Sequence, residues 1–246
     1  MTMVLGSFIF YEASMSQHET LETTRAITRI RQMLENIDRL SLPSGSRQDV
    51  ESILVRQAAE ELDHALAWQR GHGRRTAIMA LELGRRAGLP PDELHHLKLA
   101  ALLHDIGLLV LPAHLQADPR RWEADAYVAM QCHPRIGAEL LEPFSFLREA
   151  SVIIAHHHER WDGSGYPYGL RGSFIPRSAR ILSIADAFDA IEVPAADSQD
   201  LRNHVAYRII RAAAGTQFDP DLVQLLEIDH AGLYVHQPVA RQEDWP

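Results

Sequence analysis

Histidine and aspartate recur over more than a hundred residues of this chain at places where a helical pattern turns inward: His72, His104 with Asp105, His133, His157 with His158, and Asp186. Taken singly, each has an ordinary explanation as a satisfied core histidine or a helix-capping aspartate. Taken together, they would leave many polar groups buried without partners, which proteins avoid. A metal pocket closed by several helices answers that cost for all of them at once.

The local patterns carry the argument. Residues Pro90 to Leu103 read as a helix that opens with Pro-Pro-Asp-Glu and keeps Leu94, Leu97 and Ala101 on one face, and His104 continues that face at helical spacing. His72 shares a face with Thr76, Met79 and Leu83 in a helix running to about Ala87. His133 does so with Ile136 and Leu140, and His157 with Ala150, Ile153 and Ile154. Asp186 lies one turn after Leu182 in the run Arg180 to Asp189. Imidazole is a neutral donor suited to borderline transition metals, and a neighbouring carboxylate can bridge two cations.

Directly after His157-His158 comes Glu159-Arg-Trp-Asp-Gly-Ser-Gly-Tyr-Pro167, whose glycines permit tight turns and whose Tyr166 offers a ring and a hydroxyl beside the histidines. With His104-Asp105 and Phe218-Asp219-Pro220, this run resembles the HD-GYP domain, a branch of the HD metal-dependent phosphohydrolases, from about Gly71 to Leu226. The resemblance implies an all-α, HD-type multi-helix bundle around a centre of iron or manganese that hydrolyses cyclic di-GMP or a related cyclic dinucleotide. Carried over by position, the ligands are His72, His104, Asp105, His133, His157, His158 and Asp186, with Asp105 bridging. Catalysis would fall to Asp105 and Tyr166, and substrate contacts to Tyr166, Gly165 and Trp161. Asp189, Glu159 and His156 would stand behind the ligands.

The chain also departs from that family. The lysine that usually follows the His-Asp-x-Gly motif and reaches the substrate phosphate is Leu108 here, so Leu108→Lys is expected to raise turnover. The basic segment that usually follows the Asp186 helix is replaced by the acidic stretch Ile191 to Asp200. Members with a third metal carry a glutamate four residues before the first histidine, where this chain has Trp68, which points to two ions. Slow hydrolysis that stops mainly at the linear dinucleotide is the expectation. Two other readings stay open: a metal-bound but weakly catalytic binding or scaffold module in second-messenger signalling, and an HD-type nucleotide phosphohydrolase.

At 246 residues and 46% hydrophobic content the chain can bury a large helical core. Its formal net charge of −9 disfavours long nucleic acid, whose phosphates need clustered lysine and arginine. The single cysteine, Cys132, fits a reducing compartment, and no segment approaches the roughly 20 apolar residues that cross a bilayer, so the expectation is a cytoplasmic protein. The pattern divides the chain into a strand-like or disordered leader over 1–15, a helical hairpin extension over 16–70, the HD-GYP-like domain over 71–228 and a tail over 229–246. Within the extension, helices are expected over Ser16 to Leu40 and Asp49 to Arg70, the first facing inward through Leu21, Ile27, Ile30, Leu34 and Ile37 and the second through Ile53, Leu54, Ala58, Leu62, Ala65 and Leu66. That hairpin would cover the bundle or form a homodimer, and regulatory input would come through a signalling partner or the metal.

Overall fold

The computed structural model describes residues 17–41, 43–116, 124–191 and 199–226. The leader over 1–15, the tail over 229–246 and most of the acidic stretch after Ile191 lie outside them. Among the described residues the chain is all-α, as expected, with one isolated bridge between Ala214 and Phe218.

Helices α1 (Gln17–Arg39) and α2 (Ser44–Ala65) pair as a hairpin. The second begins earlier than the sequence pattern suggests, because Pro43 sits at its N-cap and Ser44 and Gly45 fill the first turn, where backbone N–H groups need no helical partner. It also ends earlier, at Ala65, where the Leu66 N–H closes onto the Leu62 carbonyl at 2.9 Å and the short turn Ala67–Gln69 takes over. On α1, Ile30, Leu34 and Ile37 are buried as read and Ile27 packs partly against the core, while the side chain of Leu21 lies outside the described residues. On α2 and its end Ala58, Leu62 and Leu66 are buried as read, Leu54 and Ala65 pack partly against the core, and Glu51 and Val55 are buried with them, whereas Ile53, two residues from Val55, falls on the outer side at 47% exposure.

The domain proper is built on α3 (His72–Arg86), α4 (Pro91–Leu103) and α9 (Arg177–Ala190), which pack on one another. Leu97 and the run from Leu99 to Leu103 are all buried, so the second half of α4 is apolar on every side and forms the axis of the core. Each such leucine contributes roughly 1.5–3 kcal/mol of burial. Helices α5 (Ala113–Gln116) and α6 (Ala124–Met130) lead to α7 (His133–Leu141), which pairs with α8 (Arg148–Ala155) against α4. Helices α10 (Gln199–Ala212) and α11 (Pro220–Gln224) close the other flank on α9.

Two contacts of this frame set the site. Gly107, in the turn Ile106–Val110 that follows α4, has the His133 carbonyl 2.1 Å from where a Cβ would stand, so only glycine lets the start of α7 settle onto the His104-Asp105 turn. Asp219 caps α11, accepting the Asp221 N–H at 2.9 Å, and also receives the Arg180 guanidinium from α9. No helix among the described residues is long and apolar enough to cross a membrane.

Candidate metal centre

Seven donor side chains from α3, the α4 turn, α7, the end of α8 and α9 meet in one place. They fall into two groups, Asp105 with His133, His157 and His158, and His72 with His104 and Asp186, and in each group the potential ligand atoms lie within 4.8 Å of one another. The first two histidines of the central turn and α7 and the first of the His157-His158 pair are oriented by one repeated device. His104, His133 and His157 each direct Nδ1–H to the carbonyl three residues earlier, Ala101 at 2.9 Å, Met130 at 3.0 Å and Ile154 at 2.7 Å. That fixes the tautomer and leaves each Nε2 lone pair facing the shared space. His72 reaches the same arrangement through a side chain, its Nδ1 donating to Asp189 Oδ2 at 2.7 Å.

The consequence is a crowd of acceptors. His72 and His104 bring their Nε2 atoms to 3.2 Å, and His133 and His157 bring theirs to 3.4 Å. Asp186 Oδ1 lies 3.1 Å from His72 Nε2 and 3.6 Å from His104 Nε2, while Asp105 Oδ1 lies 3.1 Å from His133 Nε2. Lone pairs converging at these distances need positive charge between them. One proton can serve a pair, but a cation serves a whole group, and the nitrogen and oxygen set suits a transition metal.

The electrostatics agree. Burial opposes charge on His72, yet hydrogen bonds to Asp186 and Asp189 outweigh it and lift its pKa to about 10. His104 is also raised, against its burial, by Asp105 and Asp186. Burial pushes the carboxyls of Asp105 and Asp186 up, but the surrounding histidines hold both well below the usual carboxylate range. His158 goes the other way, to about 4, through burial and then the neighbouring His133, and His157 falls well below the usual imidazole range for like reasons. Without a cation the pocket therefore holds two ionised carboxylates and two histidines, His157 and His158, kept neutral and ready to ligate, whereas His72 and His104 favour the protonated form and would give up a proton to a cation.

The loop after α8 presents Tyr166. Its ring stacks on His158, with centroids 4.9 Å apart, and burial raises its phenol pKa, so the hydroxyl stays protonated. Gly165 is pressed so closely on the backbone of His158 to Arg160 that a Cβ would stand 2.3 Å from the Arg160 nitrogen, and the Tyr166 N–H bonds the His158 carbonyl at 3.2 Å. Glu159, 2% exposed, accepts the N–H groups of Tyr168 at 2.7 Å and Leu170 at 2.9 Å and so pins the far side of the loop. Trp161 lies at the loop's foot, its backbone on the Gln217 carbonyl and its ring 5.6 Å from the Arg180 guanidinium. His156 turns away from the donor groups, bonding the Val152 carbonyl at 2.8 Å and packing 5.1 Å from the Tyr168 ring. Cys132 stands just before α7 and directs its thiol to the Ala129 carbonyl at 2.8 Å, outside both groups.

Two neighbours of the site went unread in the sequence. Arg75 grips Asp189 through Nε at 2.6 Å and Nη2 at 2.9 Å, which holds the carboxylate that orients His72. Its place one turn after His72 was the available signal. Gln69, buried in the turn before α3, donates to Asp105 Oδ2, and nothing in its neighbourhood marked it. Leu108, at the position where the resemblance implies a phosphate-reaching lysine, is 2% exposed and packs in the apolar core.

An all-helical frame thus carries a His-Asp pair, three further histidines from the α7 and α8 region, and flanking residues His72 and Asp186 in two groups that could each hold a metal ion. The family model described as HD domain matches residues 56–222, and the chain belongs to that family. The likeness to its HD-GYP branch read from the sequence is borne out by the relatives. Over 157 residues the chain is 36% identical to the 3'3'-cGAMP-specific phosphodiesterase 2 of Vibrio cholerae, covering 63% of this chain and 30% of that protein. Over 146 residues it is 37% identical to the cyclic di-GMP phosphodiesterase response regulator RpfG of Xanthomonas campestris, covering 58% of this chain and 39% of that protein. The chain thus spans about a third of the length of these curated relatives. A solved HDG"Y"P protein from Bdellovibrio bacteriovorus superimposes with a TM-score of 0.55 at 19% identity, covering 87% of this chain and 73% of that one, and this likeness bears on the fold alone.

Proposed function

We propose that the chain is a metal-dependent phosphodiesterase of cyclic dinucleotides, acting in the cytoplasm on cyclic di-GMP or 3'3'-cGAMP. The observation that carries this reading is the pair of donor groups that meet at Asp105, one oxygen of which lies 3.1 Å from His133 and the other 3.4 Å from His104. In this reading His133, His157 and His158 would hold one iron or manganese ion and His72, His104 and Asp186 the other, with Asp105 as the carboxylate that would serve both. Two such cations, when bound, supply activation of water and neutralisation of charge on a phosphate. The chain's own residues do the rest. Asp189, with Arg75 behind it, orients His72, and the backbone carbonyls of Ala101, Met130 and Ile154 orient the other imidazoles. Tyr166, held protonated over His158, is placed to donate its hydroxyl to a phosphate oxygen or to stack on a base.

Elemental analysis of the purified chain is expected to give two transition-metal ions per chain, and cyclic di-GMP is expected to be opened slowly to the linear dinucleotide. Asp105→Ala should remove most of the metal, and unchanged metal content would sink the bridging role. Turnover of linear nucleotides but not cyclic ones would favour a nucleotide phosphohydrolase instead. One observation favours a second reading, a binding module with little catalysis: residue 108 is a leucine packed in the apolar core, so this position supplies no cation. Tight binding of cyclic di-GMP by the metal-loaded chain without turnover would establish that reading.

A further inference from the structure

Gln69 lies outside every motif of the chain, in the turn Ala67–Gln69 that joins the N-terminal hairpin to α3. The turn is fixed at both ends. The Gln69 N–H bonds the Leu66 carbonyl at 2.8 Å, and the Trp68 indole N–H donates to the Gln116 carbonyl at 2.7 Å. Gln69 is 6% exposed, and its side-chain amide donates to Oδ2 of Asp105. The amide nitrogen must be the atom facing the carboxylate, because an ionised carboxylate only accepts.

That hydrogen bond decides which way the carboxylate faces. Torsion about the terminal bond of an aspartate is broad, so a buried Asp105 left to itself could present either oxygen, or both, to one donor group. Here Oδ1 lies 3.1 Å from His133 Nε2, Oδ2 lies 3.4 Å from His104 Nε2, and the Gln69 amide sits on Oδ2. A carboxylate oxygen offers two lone-pair directions. With one taken by Gln69, the other points to the group of His72, His104 and Asp186.

We propose that Gln69 is a positioning residue of the metal centre: it holds the Asp105 carboxylate across the two donor groups and thereby sets the affinity of the second cation site, that of His72, His104 and Asp186. The inference rests on the two-cation reading given above.

The test is a calorimetric titration of manganese into metal-free protein. The wild type should take up two ions. Gln69→Met keeps the length and bulk of the side chain without its N–H groups. It should weaken the second ion roughly tenfold to a hundredfold, the range found for residues behind metal ligands, while the first ion changes little. Gln69→Glu loses the same donor and sets a carboxylate against Asp105, and it too should weaken the second ion. Tighter binding or a third ion in Gln69→Glu would mean that residue 69 acts as an oxygen ligand, which overturns the proposal. Trp68→Phe leaves Gln69 intact but frees the turn from Gln116. It should give a smaller loss confined to the second ion, and it keeps the question answerable should Gln69→Met fail to fold by circular dichroism. Two ions bound equally well by wild type and Gln69→Met would overturn the inference alone. Fewer than two ions in the wild type would overturn the two-cation reading along with it.

Discussion

An ammonium introduced at residue 108 would meet no water. Leu108 is 2% exposed among Leu103, Leu109 and the rest of the apolar core, although the motif that precedes it builds the metal pocket. Leu108→Lys is therefore expected to lower stability by about 3 kcal/mol or more, through desolvation of the charge or loss of its proton, and not to raise turnover. Urea midpoints and steady-state rates on the same preparations check both statements. Thr76, one turn after His72, presents the converse case. It is fully buried, and its hydroxyl is the buried side-chain polar atom without a hydrogen-bond partner among the described residues. Thr76→Val replaces that hydroxyl by a methyl of similar shape. It should raise stability by up to about 1 kcal/mol with metal content unchanged, and a loss of metal would show that the hydroxyl takes part in the site.

Between elements, Asp219 does two tasks. It caps α11 through the Asp221 N–H and receives Arg180 from α9, whose guanidinium also lies over Trp161 at the foot of the Tyr166 loop. Asp219→Ala leaves that partly buried guanidinium without its carboxylate and the helix without its cap. A cost of about 2–4 kcal/mol is expected, with higher mobility of the loop, measurable as a lower melting temperature and faster hydrogen exchange over residues 160–170. Helices of this kind were legible in the sequence wherever an apolar stripe met a breaker, as in α1, α3 and α4. The start of α2 was not, because Ser44 and Gly45 read as a loop while a helix's first turn tolerates them. Ile53 was misplaced for a related reason: in a helix rich in alanine and charge, a single isoleucine does not define the buried face, and Val55 does. The donor set itself was legible because histidine and aspartate on inward faces are costly unless shared. What holds the donors, namely Arg75 on Asp189 and Gln69 on Asp105, depends on contacts between α3, α9 and the turn before α3, which no local spacing encodes.

At the scale of the whole molecule, the pocket couples folding to protons and to metal. In the metal-free chain His158 has its pKa lowered from 6.5 to about 4, so unfolding lets it take up a proton between those values, and stability falls as pH drops through that window. Asp105 and Asp186, held well below 3.8, add to the loss at still lower pH. His72 acts in the opposite sense. Its pKa is raised from 6.5 to about 10, so its contribution is complete below 6.5 and is lost as pH rises towards 10. Stability of the metal-free protein should therefore peak near the unperturbed imidazole value and decline on both sides. Bound cations would change the balance, because they would take the place of the proton on His72 and hold the neutral imidazoles. Loading with manganese should flatten the alkaline decline and steepen the acid one, since protonation must now displace metal as well. Urea midpoints measured at about pH 5, about pH 6.5 and about pH 8.5, with and without the metal, read this directly. If the alkaline limb were as steep with metal as without it, His72 would not be exchanging its proton for a cation, and the second donor group would have to be assigned without it.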